Sequence, residues 1–409
     1  MPDASRPSVL VCGAGAAGLT AAIFAAQNGA EITLLERTEK AGKKILMSGG
    51  TRCNVLPAQM KLNDYFTDSS VNRMKNIFKS WSLNACKQWF EDEIGLKLAC
   101  ETHSNKWFPV SNSAKEVRNL LLKKALESGV QVVYNAPVEN LEPENGKWRV
   151  RTSNGKSFEA NRVIISTGGY SIPTIGTDGM GHRFMKKAGH TIRPVYAALT
   201  PLLGTNKQHH ALSGISLDVE LSVYTGGKKT FTSERSGFLF THRGYSGPAI
   251  LDASHHYIKA KMNGKETPVF RVNWAGIERE SWNQALINGK GNVISVLKEK
   301  LPARLCEMII QKAGLEQRKT AELKKEERRD LLALLTEYEL PISGDEGYRK
   351  AEVTGGGIPL EEINTKTLES LKLPGVYLCG EIIDVFGRIG GFNFYWAWVT
   401  GRLAGLGQR

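Results

Sequence analysis

The sequence predicts an α/β fold whose parallel sheet is assembled from both ends of the chain, with an inserted domain between them. Three observations predict it. A strand, a glycine-rich turn and an alanine-rich helix follow one another in residues 9–28, a second strand–glycine–helix arrangement comes in residues 375–406, and the pattern stops between Ala188 and Tyr348. With 409 residues, the chain has room for two or three domains.

The N-terminal segment has the spacing of a nucleotide-binding turn. A buried strand is predicted over residues 9–12, and Gly13, Gly15 and Gly18 follow at GxGxxG spacing before a helix that runs to about Asn28. Gly13 permits the turn, Gly15 lets the backbone approach a pyrophosphate, and Gly18 allows the helix and strand to pack closely. The helix N-terminus presents N–H groups to the phosphates.

An acidic residue follows the second predicted strand. Glu36 comes 18 residues after Gly18, at the end of residues 31–35, where a carboxylate can accept the hydroxyls of an adenosine ribose. The same carboxylate disfavours a 2′-phosphate, so FAD or NAD is expected here rather than NADP.

The loop after the acid favours FAD over NAD. It contains GKKILMSGGTRCN, in which Gly49 and Gly50 permit close backbone contact and Lys43, Lys44 and Arg52 supply positive charge. A nicotinamide dehydrogenase usually continues into a helix and strand at this point, whereas a glycine-rich basic loop fits a longer dinucleotide. A plain surface loop is the alternative.

Later segments return to the same sheet. Before the insert come a predicted strand at residues 131–134, a β-meander over 148–165 and the Gly168–Gly169 pair. After the insert, a last predicted strand at 375–379 is followed by more glycines and an apolar helix. A helix N-terminus at the pyrimidine edge of a flavin stabilises its reduced form. Asp384 is predicted to bind the ribityl or pyrophosphate region.

At these motifs the chain resembles the HI0933-like (BaiN-type) flavoproteins, usually described as NAD(P)/FAD-dependent oxidoreductases. The resemblance rests on VCGAGAAG, GKKILMSGGTRCN, STGGYSIPTIGTDGMGHRF, THRGYSGPAIL and GEIIDVFGRIGGFNFYWAWVTG, and it spans nearly the whole chain. It implies a Rossmann-type FAD-binding domain similar to fumarate reductase flavin subunits. Thr51 and Tyr395 depart from the family pattern, in which glycine and glutamine are usual, so substrate choice is expected to differ.

The residues predicted to contact FAD are Gly13, Gly15, Ala16, Ala17, Gly18, Glu36, Arg37, Lys44, Gly49, Gly50, Arg52, Cys53, Val138, Thr167, Gly168, Gly169, Gly380, Glu381, Asp384, Gly390, Gly391 and Asn393.

The insert divides into two predicted parts. Short alternating strands over 191–275 suggest a β-barrel-like domain, and residues 276–345 are predicted to be helical. The FAD-binding domain then comprises 1–190 and 346–409.

The charge distribution bears on partners. Residues 131–275 carry 18 Lys/Arg against 10 Asp/Glu, which favours an anionic partner: a dinucleotide, a polyanionic substrate, or RNA bound through the basic insert. A surface kept soluble by charge is the alternative. The six cysteines form no CxxC pair, so no metal site is predicted and a cytoplasmic setting is expected. The apolar run at residues 8–26 fits a strand, turn and helix better than a membrane span.

Four side chains are candidate proton donors: Cys53, His242, Tyr245 and Tyr395. Cys53 follows a basic residue, which favours a lowered thiol pKa, although a buried structural cysteine is the alternative. His242 lies in the THRGYSGPAIL segment, and a surface histidine is the alternative there. The aromatic residues 392–398 have helical spacing, which favours core packing over stacking on a substrate.

The predicted function is an FAD-dependent oxidoreductase that reduces or dehydrogenates a conjugated or ring-containing small molecule. The resemblance leaves open reduction of uridine in RNA to dihydrouridine, an amine oxidase that uses oxygen, and a non-catalytic flavin-binding role. Only one GxGxxG is present, because the glycines after Thr354 lack a strand-and-helix setting. NADH or NADPH is therefore expected only as a transient electron donor.

Overall fold

The computed structural model describes residues 6–102 and 104–408. The chain divides into two compact units, one formed by Met1–Tyr196 with Val353–Arg409 and the other by Ala197–Glu352. These boundaries lie a few residues after the predicted ones at 190 and 345. No helix in the described part of the chain is long and apolar enough to cross a bilayer.

The first part of the larger unit alternates strands and helices. Its strands are β1 Ser8–Cys12, β2 Glu31–Leu35, β3 Leu56–Pro57, β4 Tyr65–Phe66, β5 Leu98–Glu101, β6 Lys106–Pro109, β7 Gln131–Val133, β8 Val138–Glu144, β9 Lys147–Thr152, β10 Ser157–Ala160, β11 Arg162–Ile165 and β12 Arg193–Ala198. Its helices are α1 Ala16–Gln27, α2 Lys43–Met47, α3 Val71–Phe78, α4 Leu83–Asp92, α5 Ala114–Glu127 and α6 Met180–Lys187.

The insert contains a mixed set of elements. Its strands are β13 Leu202–Gly204, β14 Ser216–Thr225, β15 Lys228–Thr232, β16 Ser236–Phe240, β17 Gly244–Ser246, β18 Val269–Asn273, β19 Tyr338–Glu339 and β20 Ile342–Asp345. Its helices are α7 Lys207–His210, α8 Pro248–Met262, α9 Arg279–Asn288, α10 Val293–Lys298, α11 Ala303–Ala313 and α12 Lys325–Thr336. The chain then returns through β21 Val353–Gly357, β22 Val376–Leu378, β23 Phe386–Gly387 and α13 Phe392–Leu406.

The insert mixes helix and strand more than its sequence pattern predicts. Its eight strands form one antiparallel sheet in the order β19-β18-β14-β16-β17-β13-β20, with β15 on β14. Two of these strands, β19 and β20, lie in the segment predicted to be helical, and α8 lies in the predicted β domain. The sequence pattern missed α8 because ten of its residues are buried, so it lacks one clear apolar stripe.

A five-stranded parallel sheet forms the centre of the larger unit. Its order is β7-β2-β1-β11-β22, with Val11 opposite both Leu34 and Ile164. When these five strands are numbered by their order in the chain, the sheet order is 3-2-1-4-5. The direction in which successive strands are added therefore reverses between β1 and β11. Ligands of such sheets bind at the carboxyl ends of the strands, beside the reversal. The predicted glycine segments follow β1, β11 and β22 at that edge.

Helices from opposite ends of the chain pack backbone against backbone on this sheet. A Cβ atom at Gly401 of α13 would lie 2.5 Å from the Ala17 carbonyl oxygen, and one at Gly405 would lie 2.6 Å from that of Ala21. The Gly380 N–H donates to Thr400 Oγ1 over 3.0 Å, so α13 also fixes the loop after β22. The contact therefore requires glycine and joins the two chain ends.

We expect Gly405→Ala to lower the melting temperature by about 5 °C, corresponding to roughly 2 kcal/mol, because the new methyl group overpacks the α1 contact. Alanine in an open helix would instead stabilise by about 0.5–1 kcal/mol. Gly237→Ala, on strand β16 of the insert, is the control for an added methyl group without a clash, since the atom closest to its Cβ would lie at an ordinary 3.4 Å. Scanning calorimetry measures the melting temperature of both variants. A melting temperature of Gly405→Ala equal to that of wild type would contradict the close packing of α1 and α13.

Candidate functional site

The three positions of the first turn do not require glycine for the same reason. Gly13 has a φ of +106°, and a Cβ there would lie 2.7 Å from the Ser166 carbonyl oxygen. A Cβ at Gly18 would lie 1.9 Å from the Gly13 carbonyl oxygen, so neither position accepts a side chain. At Gly15 no atom lies within 4 Å of a Cβ, so this glycine borders open space.

The N-terminus of α1 faces that open space without a side-chain cap. Gly15 is the N-cap, and the first bond of the helix runs from Leu19 N–H to the Gly15 carbonyl over 2.9 Å. The N–H groups of Ala16, Ala17 and Gly18 precede this bond and have no partner within the helix. They point, with the positive end of the helix dipole, to where an anion binds.

Glu36 is held at the edge of this turn. Its Oε2 accepts from Ala14 N–H at 3.0 Å, and its Oε1 accepts from the N–H and hydroxyl of Thr38 at 2.9 and 2.8 Å. Oε2 has one partner and keeps capacity for another donor. The carboxylate is thus held in one orientation, and its contact with a ribose hydroxyl stays a prediction.

Beyond Glu36 lies a cleft of about 350 Å³. Arg37 and Val138, 101 positions apart in the chain, both line it together with Pro137 and Met180. Arg37 is fixed there by an ion pair with Asp178 at 2.8 Å. The structure therefore brings together two residues that were predicted separately, next to the acid expected to bind the ribose.

A half-buried ion pair joins two predicted motifs. Lys44 Nζ contacts Glu381 Oε2, and Glu381 Oε1 accepts from Ser171 Oγ and from Thr354 N–H, both at 2.9 Å. Burial by itself raises the pKa of the Glu381 carboxyl, but Lys44 and these hydrogen bonds hold that pKa below its usual value. A Cβ at Gly169 would lie 2.8 Å from Glu381 Oε1, so the Gly168–Gly169 segment lies against this ionised carboxylate.

Sequence reasoning missed Ser171 and Thr354 in this cluster. Thr354 Oγ1 accepts from the N–H groups of Tyr170 and Ser171 at 2.7 and 3.2 Å, so it ties the loop after β11 to β21. The available signal was the glycine run after Thr354, although that run lacks the strand-and-helix setting of a nucleotide turn. A Cβ at Gly356 would lie 2.2 Å from the Pro194 carbonyl oxygen, so that glycine serves close strand packing with β12 instead.

The SGGTRCN loop is built from left-handed residues. Gly49, Gly50, Thr51 and Cys53 have φ values of +54°, +63°, +71° and +64°. Like Gly15, Gly50 has no atom within 4 Å of a Cβ position, so its backbone is open to a ligand. The glycine usual at position 51 has a physical reason, because a β-branched residue is strained at positive φ.

We expect Thr51→Gly to stabilise the protein by about 1 kcal/mol, because it relieves the left-handed strain at an exposed position. Thr51→Ala is the control, since it keeps the Cβ atom and should gain less. Urea unfolding of the two variants against wild type measures this. Equal gains for glycine and alanine would show that Thr51 is not strained by its backbone.

Arg52 is used to hold this loop. Its guanidinium lies 3.9 Å over the Phe108 ring, and it donates to Glu101 Oε1 and Asn112 Oδ1 at 2.9 Å each. Nε and Nη2 of Arg52 are therefore engaged with the loop after β6 and with β5, and a contact of this side chain with FAD stays a prediction.

The second glycine pair begins α13. Gly390 and Gly391 have φ values of +112° and +93°, and a Cβ at Gly391 would lie 2.6 Å from the Leu56 carbonyl carbon. The Asn393 amide accepts from Gly387 N–H at 2.8 Å and donates to its carbonyl at 2.9 Å. Asn393 thus shapes the loop, while the glycines bring the helix N-terminus close to β3.

Asp384 is engaged within the protein. Its Oδ2 accepts from Ser69 Oγ at 2.8 Å and from Asp68 N–H at 3.1 Å, and it lies 3.1 Å from Arg193 Nε. The side chain is almost fully buried, which differs from the predicted ribityl or pyrophosphate contact. Burial raises the pKa of Asp384 to about 6, with the neighbouring Asp68 charge acting in the same direction.

A raised pKa in the folded state means that Asp384 contributes stability in full below about pH 4 and loses it as the pH rises through about 6. We expect the free energy of unfolding of Asp384→Asn, relative to wild type, to grow by about 2 kcal/mol between pH 4 and pH 7. Glu159→Gln is the control with the opposite sign, because Arg149 lowers the pKa of Glu159. A relative stability of Asp384→Asn that is flat with pH would contradict the raised pKa.

Three of the four predicted proton donors are buried. The Cys53 side chain is fully buried, and burial raises its thiol pKa to about 12, so the predicted lowering is wrong. Tyr395 is buried and its hydroxyl donates to the Trp81 carbonyl at 2.6 Å. Tyr245 is buried and bonded to His209 Nδ1 at 2.6 Å. His242 is exposed in the insert and stays a prediction.

The aromatic residues at the start of α13 pack in the core, as their spacing predicts. Trp396 and Trp398 are buried and donate to the carbonyls of Gly380 and Val55 at 3.2 and 3.0 Å.

The site fits a long dinucleotide. Open backbone at Gly15 and Gly50 leaves room that a side chain would fill. Two buried polar atoms, Thr167 Oγ1 and Asn54 Oδ1, have no hydrogen-bond partner among the residues that the structure describes. Two helix N-termini without side-chain caps and the oriented Glu36 carboxylate are further groups that would fit such a cofactor.

Comparisons with known proteins agree with this geometry. The family described as HI0933-like protein Rossmann domain matches residues 7–407. The chain is 31% identical to a ribosomal RNA dihydrouridine synthase of Haemophilus influenzae, covering 95% of each chain. It is 30% identical to a 3-dehydro-bile acid delta(4,6)-reductase of Clostridium scindens, covering 97% of each. A flavocytochrome c3 fumarate reductase structure, 16% identical, aligns with a TM-score of 0.51 over 100% of this chain and 78% of that one, which shows a common fold.

Proposed function

This chain belongs to the HI0933-like family of FAD-dependent oxidoreductases, and on that premise we propose that it reduces a carbon–carbon double bond conjugated to a carbonyl group in a ring-containing substrate. The observation that carries the proposal is the presence, in one unit, of two uncapped helix N-termini and the open left-handed loop at Gly50. Bound FAD supplies the hydride chemistry.

The chain's own residues bind and orient the cofactor. The N–H groups at the start of α1 hold the pyrophosphate, and Glu36 holds the adenosine ribose. Lys44 and Glu381 form a charged cluster beside Gly169 that keeps Glu381 ionised. The N-terminus of α13 favours negative charge at the flavin pyrimidine edge, so it stabilises the reduced cofactor.

The relatives' names support this reaction class. Dihydrouridine formation adds hydrogen across the double bond of a uracil ring, where that bond is conjugated to a carbonyl. A delta(4,6)-reductase acting on a 3-dehydro compound saturates double bonds conjugated to the 3-oxo group. NADH or NADPH is the proposed electron donor.

A uridine in ribosomal RNA is the second candidate substrate, and charge is the observation that favours it. The unit that holds the site carries 31 Lys/Arg against 22 Asp/Glu, whereas Ala197–Glu352 carries 23 against 19. Both units therefore carry a basic excess, of nine residues on the larger unit and of four on the insert. A phosphate backbone is attracted to such an excess in a salt-dependent way.

Anaerobic stopped-flow mixing with NADH and with NADPH tests the proposal. We expect at least one of them to bleach the flavin absorbance, and a 3-oxo-4,6-diene steroid or unmodified ribosomal RNA to restore it. RNA retention that falls steeply with salt favours the RNA substrate, and no retention at low salt removes it. Failure of both nucleotides would contradict the proposed donor, and failure of both acceptors would contradict the reaction class.

Gly15→Val provides the matched negative control. Its φ is ordinary and the space beside it is open, so the variant is expected to fold as judged by circular dichroism. The valine occupies the space proposed for the pyrophosphate, and the purified variant should therefore carry no FAD.

A further inference from the structure

Lys106 lies against the glycine loop that begins α13. It is on β6, whose register pairs it with Pro57 of β3 on one side and with Glu101 of β5 on the other. A Cβ at Gly390 would lie 2.6 Å from Lys106 Cε and 3.3 Å from its Cδ. The lysine stem therefore covers Gly390, one residue before the N-cap of α13.

The charges around Lys106 leave it uncompensated. Glu101, opposite it in the antiparallel pair, accepts instead from Arg52 at 2.9 Å and from Ser104 at 2.5 Å. Among the residues that the structure describes, no hydrogen bond or ion pair is formed by the Lys106 ammonium. Arg52 and Lys106 with one carboxylate leave a net positive charge between the SGGTRCN loop and the Gly390 loop.

We propose that the Lys106 ammonium lies at the pyrimidine edge of the bound flavin and stabilises the negative charge that this edge gains on reduction. The inference rests on the proposed function for the presence of FAD. A hydride added to flavin N5 brings two electrons and one proton, and the excess negative charge resides on the pyrimidine ring. The α13 N-terminus offers the equivalent of about half an elementary charge there, and Lys106 adds a whole one.

Sulfite measures this charge without any electron donor or substrate. It donates its electron pair to flavin N5, forms an N–S bond and leaves the same negative charge on the pyrimidine ring. We expect Lys106→Met, which keeps the stem over Gly390, to raise the sulfite dissociation constant at least about tenfold. The same factor corresponds to a shift of the two-electron midpoint potential by about 30 mV to more negative values.

Matched variants make the result specific. Lys106→Arg keeps the charge and should restore the sulfite affinity to within about threefold. Lys156→Met removes an exposed lysine from the same unit and should leave the affinity and the potential unchanged. FAD content is measured first by absorbance, and Lys106→Gln is the second neutral variant if the methionine protein does not fold.

Four results would overturn the inference. Wild-type affinity and potential in Lys106→Met would place the ammonium away from the flavin. An equal shift in Lys156→Met would show a general charge effect. Loss of FAD from both neutral variants would make Lys106 a cofactor-holding residue, and a change only in substrate KM would place it at the substrate. Wild-type protein that carries FAD but reduces no substrate would contradict the proposed function, whereas the sulfite result would still decide this inference.

Discussion

The contact between α1 and α13 is the constraint on which the site depends. Gly401 and Gly405 remove the side chains that would separate the two helices, so α13 approaches the carbonyl oxygens of Ala17 and Ala21 directly. Because α1 follows the first nucleotide turn and α13 follows the Gly390–Gly391 loop, this contact fixes two helix N-termini from opposite ends of the chain in one unit. A methyl group at either glycine would push the two helices apart and so displace the helix N-termini at the site.

The elements around those helix ends are arranged to present backbone rather than side chains. The loop from Gly49 to Cys53 uses left-handed conformations to turn sharply, and Gly15 and Gly50 leave open space beside the main chain. Arg52 and Asn393, which the sequence predicts as ligand contacts, hold these loops in shape. Binding by N–H groups and helix dipoles suits a cofactor whose phosphates and reduced ring are both anionic.

Charged side chains lie around these exposed backbone segments. Lys44 and Glu381 neutralise each other within a cluster of hydrogen bonds, and Asp384 is buried among its own donors. Lys106 has no such partner among the described residues, which is why it is the side chain proposed to respond to the flavin's charge. The unit that contains Lys106 also has a larger excess of Lys/Arg over Asp/Glu than the insert, so its net charge is likewise positive.

By itself, the sequence determined the first nucleotide turn, the place of Glu36 at the end of β2 and the return of the chain at Gly380, because each depends on local spacing between glycines, strands and helices. Only the tertiary structure decided which side chains meet. Ser171 meets Lys44 and Glu381 from positions 127 and 210 residues away in the chain, and packing buries Cys53 and Tyr395. Burial and partners are set by packing between distant segments, which local periodicity does not encode.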